Sequence, residues 1–310
     1  MRKKSDTFEN HFEVMEMRTI LESKKSIFRI IGKYFLLALI FLSLQTNSAW
    51  SFADLGPYDG HESITNEAFS SGIAGVDFSK GAILQIIRIN KKADKLIFGE
   101  GEQFQHFDDE FLIEGSLYVK YLRLSVKNLL IAGNEVSLDA YQFRGFRARR
   151  VLGLALHAIQ DYYSHTNWVE AGNTQINFDL GVNELPPPAP SNIPLCTNDS
   201  NDLIAGLGVI TSGYWEGFGV ACAPLSSNQI KCRHGTPITN NCGGLNKDTA
   251  VRPNYDTARS LAVTATQKFV EQVINDIKND PSLSADVKNE AIRLLADQPS
   301  SWNCGCVIYI

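Results

Sequence analysis

Apolar residues recur along this chain at the three-to-four spacing of buried helix faces, interrupted by one long stretch with no period. Residues 61–98 read as helical turns, with Ser63 or Thr65 as a start cap and Ile83, Ile86 and Ile87 on one face. Residues 107–132 carry Phe111, Leu112, Leu117, Tyr121, Leu122, Leu129 and Leu130 in a helical pattern. The strongest helix signal runs from about Ala140 to Trp168, which has no proline and only Gly145 and Gly153 to weaken it. From Gly172 to Asp256 the pattern lapses. Pro186–Pro188, Pro190 and Pro194, followed by Gly, Asn and Ser, predict long loops and short elements. Helical patterns return at Tyr255–Lys278 and near Ser284–Asp297. The reading is a mainly α, single-domain body with a loop-rich insertion over about 172–256 that covers one end of it.

The apolar run Tyr34–Leu44 changes the picture of the N-terminus. Lys24, Lys25, Arg29 and Lys33 precede it, and small residues including Ala49, Ser51 and Ala53 follow. That order is a signal peptide's, and the run is short of the roughly 20 residues a spanning helix needs. Residues 1–53 are expected to be removed, by a cut after Ala53 or, alternatively, after Ala49. Residues 54–310 then form the exported domain, secreted or periplasmic, with membrane anchoring by an uncleaved segment as the alternative. The chain's 29 basic and 34 acidic side chains fall to 21 and 29 on removal of residues 1–53, a net charge near −8. An acidic chain is not steered toward nucleic acid, which disfavours that partner. Cys196, Cys222, Cys232, Cys242, Cys304 and Cys306 all lie in the C-terminal part. In an oxidising compartment they predict up to three disulfides that staple the insertion, with the pairing left open.

The histidines carry the chemistry. His157, Asp161 and His165 are spaced i, i+4, i+8, and each step of four turns the direction by only about 40°, so all three share a helix face. The rise from His157 to His165 is roughly 12 Å, too far for both rings to reach one ion at zinc–nitrogen distances of about 2 Å. Asp161 is placed to ligate beside His157 or to bridge toward an ion held by His165. The spacing therefore favours at least two metals. No G-x-S-x-G and no complete glycine fingerprint is present, so serine hydrolase and dinucleotide chemistry find no support.

The string LGLALHAIQDYYSHTNWVE (152–170) resembles the core motif of the Het-C family, which also occurs in the N-terminal domain family of von Willebrand factor A domain-containing protein 7. HESITNEAF (61–69), FQHFDDE (104–110), TSGYW (211–215) and KCRHG with CGGLNKD (231–248) agree in order, so the resemblance covers roughly 58–275. This family looks like a distant branch of the zinc-dependent phospholipase C and P1 nuclease superfamily, helical secreted enzymes with clustered zinc ions. The likeness implies a helical phospholipase C/P1 nuclease-like body holding two or three zinc ions. Its implied ligands are His61, His106, Asp108, His157, Asp161, His165 and His234, with Asp161 bridging and Asp109 a candidate base. Asn167 and Glu170 would orient ligands, and Asp248 or Glu170 would be the acidic partner of His234, which has Ile238 where the superfamily has an acid. The spacing from Asp161 to His165 is also shorter than the superfamily's, and Trp50 would supply the superfamily's N-terminal ligand only after a cut at Ala49. The implied activity is a metal-dependent phosphodiesterase, phospholipase C-like, acting on phospholipid or another phosphodiester, with a membrane surface as a further partner. The alternative is a non-catalytic secreted recognition protein that keeps part of the metal site.

Overall fold

A computed structural model describes residues 60–96, 102–132, 138–190, 208–215, 232–235 and 244–297. The chain divides into Met1–Ser48 and Ala49–Ile310, and every described residue belongs to the second unit. The expected signal segment, Trp50 and the cysteines other than Cys232 lie outside the described residues. Cys232 is buried, and no described cysteine is a free thiol.

The described residues form α1 (Gly60–Ala68), α2 (Lys80–Leu96), a 3-10 turn at Gln103–Gln105, α3 (Leu112–Ile131), α4 (Leu138–His165), α5 (Tyr255–Lys278) and α6 (Ala285–Ala296). The protein is mainly helical. Among the described residues the extended pairings are isolated bridges, Ile73–Val76, Thr166–Ser212 and Tyr214–Arg233. No described helix is long and apolar enough to cross a membrane.

α4 is the axis of the body because its second half is buried on nearly every side. Leu152, Ala155, Leu156, Ala158, Ile159, Tyr162 and Tyr163 form its apolar faces, and His157, Gln160, Asp161, Ser164 and His165 form a polar face that is equally enclosed. α2, α3, α5 and α6 supply it, each packing against α4, while α1 lies on α2 and α5. α5 contributes Leu261, Ala265, Phe269, Val273 and Ile277 to the same core. Truncating Leu156 at the centre of this packing to alanine would cost about 2–5 kcal/mol.

Several expected boundaries shift for local reasons. The stretch 61–98 is two helices, parted by a tight turn in which Ile73 and Val76 exchange backbone hydrogen bonds. Neither expected cap serves α1: Ser63 Oγ donates to the Gly60 carbonyl, and Thr65 is fully buried against Asn90 and Gln160. Residues 107–111 are loop, so α3 starts at Leu112. α4 stops at His165 because the Asn167 backbone N–H donates to Thr211 O (3.0 Å) instead of continuing the helix. α5 spans the predicted Tyr255–Lys278, and Ser284 caps α6 by accepting from Val287 N. The described residues between His165 and Tyr255 contain no helix.

Candidate metal centre

Two buried groups of potential ligands sit along the C-terminal half of α4: His61, His157 and Asp161 in one, and Asp108, His165 and His234 in the other. The α4 stripe splits between them as the 12 Å rise requires.

The first group is built on helices. α1 delivers His61 and α4 delivers His157 and Asp161. Close packing of α2 on α4 depends on Gly153, where a Cβ would come 2.7 Å from Ile86 O and 2.9 Å from Ile89 Cβ. That approach brings Asn90 to His157, whose Nδ1–H donates to Asn90 Oδ1 (3.3 Å). His61 Nδ1–H donates to Gln160 Oε1 (2.6 Å). The two amides are themselves fixed: Asn90 Nδ2 donates to Thr65 and Gln160, and Gln160 Nε2 to Thr65 and Thr266. With both Nδ1 atoms protonated, the Nε2 lone pairs of His61 and His157 point at Asp161, at 3.3 Å from Oδ1 and 3.0 Å from Oδ2. Asp161 is fully buried, and its Oδ1 accepts no hydrogen bond. Acceptors converging on acceptors repel unless a cation lies among them, and outer hydrogen bonds that fix the tautomer are the usual support of metal-binding histidines.

His106 closes this group from the 3-10 turn side, with Nδ1 2.8 Å from Asp161 Oδ2 and 3.1 Å from His157 Nε2. It is 13% exposed where the other ring ligands are sealed, so it marks the side open to solvent. Burial opposes the Asp161 charge. The electrostatic pull of the neighbouring His157 and His165 and the close approach of the His106 and His157 ring nitrogens nevertheless hold its carboxyl well below the usual carboxylate range. Both Asp161 oxygens face the first group, so the expected bridge to His165 is replaced by other carboxylates.

Those carboxylates are Asp108 and Asp248. His165 Nδ1 lies 3.1 Å from His106 O and 3.3 Å from Asp108 Oδ1, and its Nε2 lies 3.3 Å from Asp248 Oδ1. His234 Nδ1–H donates to Gly235 O (2.9 Å), which leaves Nε2 as an acceptor 3.3 Å from Asn246 Nδ2 and 3.8 Å from Asp108 Oδ1. Asp108 Oδ1 is buried and accepts no hydrogen bond. Burial disfavours a proton on His165, yet Asp108, Asp248 and Asp161 raise it well above the usual imidazole range. The same carboxylates make this pocket electrostatically attractive to a cation. Burial keeps His234 neutral, as a ligand must be. Asp248 is fixed by Ser164 Oγ, by Asn246 Nδ2 and through its own N–H to Asn246 Oδ1. It therefore serves His165, and the acid nearest His234 is Asp108 rather than Asp248 or Glu170.

The loops of this second group are tied to one another. Phe107, Asp109 and Glu110 all have positive φ, a strain of about 1–3 kcal/mol each that surrounding contacts must offset. Asp109 N donates to Gly213 O, Asp109 Oδ1 accepts from Trp215 N (2.6 Å), and Glu110 binds the hydroxyls of Thr211 and Ser212. Gly213 is required where a Cβ would come 2.5 Å from His234 Cα. Lys247 is buried, its ammonium donating to Thr166 O, Leu245 O and Glu170, and burial lowers its pKa against the pull of Glu170.

Three of the expected site residues also make contacts that the motifs did not indicate. Asp109, expected as a base, ties two loops together; burial lifts its carboxyl to about 6 while the Trp215 N–H opposes the rise. Asn167 clamps Val209 and Thr211. Glu170 binds Lys247 and Asn254. Sequence reasoning missed Asn90, Gln160, Thr65 and Thr266. Asn90 had a visible signal, a polar residue on the apolar stripe of Ile83, Ile86 and Ile87.

The chain matches the model of the family described as the VWA7 N-terminal domain over residues 60–283. It is 30% identical to von Willebrand factor A domain-containing protein 7 of Rattus norvegicus over 210 residues, 64% of this chain and 22% of that protein. The Mus musculus protein of the same name is 30% identical over 227 residues, 68% and 23% of the two chains, and the Homo sapiens one 32% over 200 residues, 61% and 20%. The aligned part spans under a quarter of the length of these relatives. No solved structure matches the chain.

Proposed function

The chain belongs to the VWA7 N-terminal domain family, and from that premise we propose that it is an exported zinc protein that hydrolyses phosphate esters at the histidine–aspartate centre. The observation that carries the metal is the meeting of His61 Nε2 and Asp161 Oδ1, 3.3 Å apart, with the other nitrogen of His61 committed to Gln160. The donor set fits zinc, which takes imidazole and carboxylate ligands and here has them in two groups. The motif's likeness to Het-C and to phospholipase C/P1 nuclease proteins supplies the reaction class, with a phospholipid or other phosphodiester as substrate. Residues 1–53 would direct export, and the buried, non-free Cys232 supports a loop region tied by disulfides.

His61, His157 and Asp161 would hold one ion and Asp108, His165 and His234 another, with two or three zinc ions in all. Bound zinc supplies Lewis-acid charge for a phosphoryl oxygen and a source of nucleophilic water at neutral pH. His106, at the exposed edge and 2.8 Å from Asp161 Oδ2, sits where a phosphate would enter. Gln160 and Asn90 keep the rings aimed during turnover.

Burial favours a second reading. Asp161 is fully enclosed and His61, His157, His165 and His234 are at most 3% exposed, which suits a closed structural site in a secreted recognition protein. Elemental analysis of the purified chain and of Asp161→Ala, with a phosphodiester and phospholipid hydrolysis screen, separates the two. Two or more zinc ions with activity lost in the variant support the enzyme. Bound zinc without activity on any ester supports the scaffold, and no bound metal removes both.

A further inference from the structure

The two groups of ligands differ in what holds them when no ion is considered. The first is set on α1 and α4 and aimed by buried amides. In the second, His165 is on α4 and Asp248 is held by Ser164 and Asn246, while Asp108 and His234 depend on loops. Asp108 stands in a loop with left-handed residues on both sides of it, and its buried Oδ1 accepts no hydrogen bond although His165 and His234 both face it. From there the contacts run in series. Asp109 and Glu110 bind Gly213, Trp215, Ser212 and Thr211; Tyr214 pairs with His234 and Cys232; and Leu245 and Asn246 donate to Arg233 and His234.

Resting on the proposed metal reading, we infer that the second centre is a latch: a cation bound by Asp108, His165 and His234 keeps residues 106–111, 208–215, 232–235 and 244–249 docked on the end of α4. The first centre is set by α1 and α4 and, among the described residues, touches these loops only through His106, at 2.8 Å from Asp161 Oδ2. Asp108 is the pivot, because its buried Oδ1 accepts no hydrogen bond and its neighbours Phe107, Asp109 and Glu110 carry the strain. Removing the ion leaves Oδ1 only the long contacts to His165 Nδ1 (3.3 Å) and His234 Nε2 (3.8 Å), and the strained loop has a reason to relax. The loops stacked on it then lose their seat in order, while the helical core, which shares Phe107 with the first loop but is otherwise built on contacts among the helices, stays.

Hydrogen–deuterium exchange of the zinc-loaded full chain, before and after chelation, reads this directly. Exchange in the four loop segments is expected to rise at least tenfold on chelation, with α5 and the second half of α4 unchanged. Asp108→Asn and His234→Gln should show the fast loops even in excess zinc, losing one ion and keeping the other. His61→Gln should lose an ion and keep the loops protected. Circular dichroism checks that each variant retains its helices, and two variants at the latch guard against one that fails to fold. Loops equally protected with and without zinc, in a chain that binds two ions, would overturn the latch and leave the metal reading intact. So would a His61→Gln chain whose loops open as far as those of Asp108→Asn. A chain that binds no zinc at all overturns the metal reading and the latch together.

Discussion

His61, His157 and Asp161 come from two helices and are aimed by Asn90 of α2 and Gln160 of α4, whose amides are fixed by Thr65 of α1 and Thr266 of α5. Asp108 and His234 come from segments without regular structure, aimed by backbone carbonyls and by neighbouring loops. The same chemistry is therefore built in two ways. Where a ligand grows from a packed helix, the core orients it and side-chain amides need only fix its tautomer. Where it grows from a loop, the backbone itself must be held, and glycine clearances, strained residues and a buried lysine do that.

The largest break in this comparison is Asp161→Ala. It removes the carboxylate that three histidines face, and stripping one partner from a buried charged group costs about 3–5 kcal/mol. Thermal unfolding should show a drop of that size together with loss of the first ion by elemental analysis. Gly153→Ala tests whether the helical centre depends on close packing of α2. The added Cβ would meet Ile86 O at 2.7 Å, and overpacking of this kind costs about 1–3 kcal/mol. Denaturant unfolding should register it, with weaker metal binding at His157 through displaced Asn90. Gly213→Ala is the counterpart in the loops, where the clash is with His234 Cα; the second ion should weaken while the denaturation midpoint of the helical body moves less. Gln160→Leu leaves His61 Nδ1 without its acceptor, and competition with a chelator should show first-centre affinity down about 10–100-fold. Arg293→Ala, which breaks an exposed pair with Glu290 on α6, should change stability by about 0.5 kcal/mol or less and leave metal content as it was.

Legibility differed with the range of the interaction. The limits of α5 and α6, the apolar character of α4 and the shared face of His157, Asp161 and His165 were all readable, because helical periodicity is a local property of a few consecutive turns. HESIT, QHFDD and CRHG marked the remaining histidines as polar sites in chemically rich surroundings. What could not be read was which groups meet. The His61–Gln160 bond joins residues 99 apart, Glu110 reaches Ser212 across 102, and Asp248 reaches His165 across 83. Periodicity says which face of a helix is buried, and it says nothing about which face of another element covers it. The sequence by itself therefore determined the helices and most of the candidate ligands. Only the tertiary packing decided that Asp161 belongs to one group and Asp108 with Asp248 to the other. It also turned Asp109 and Asn167 into loop ties, since the partners of a buried polar group are chosen by whatever donor or acceptor the packed core brings within about 3 Å.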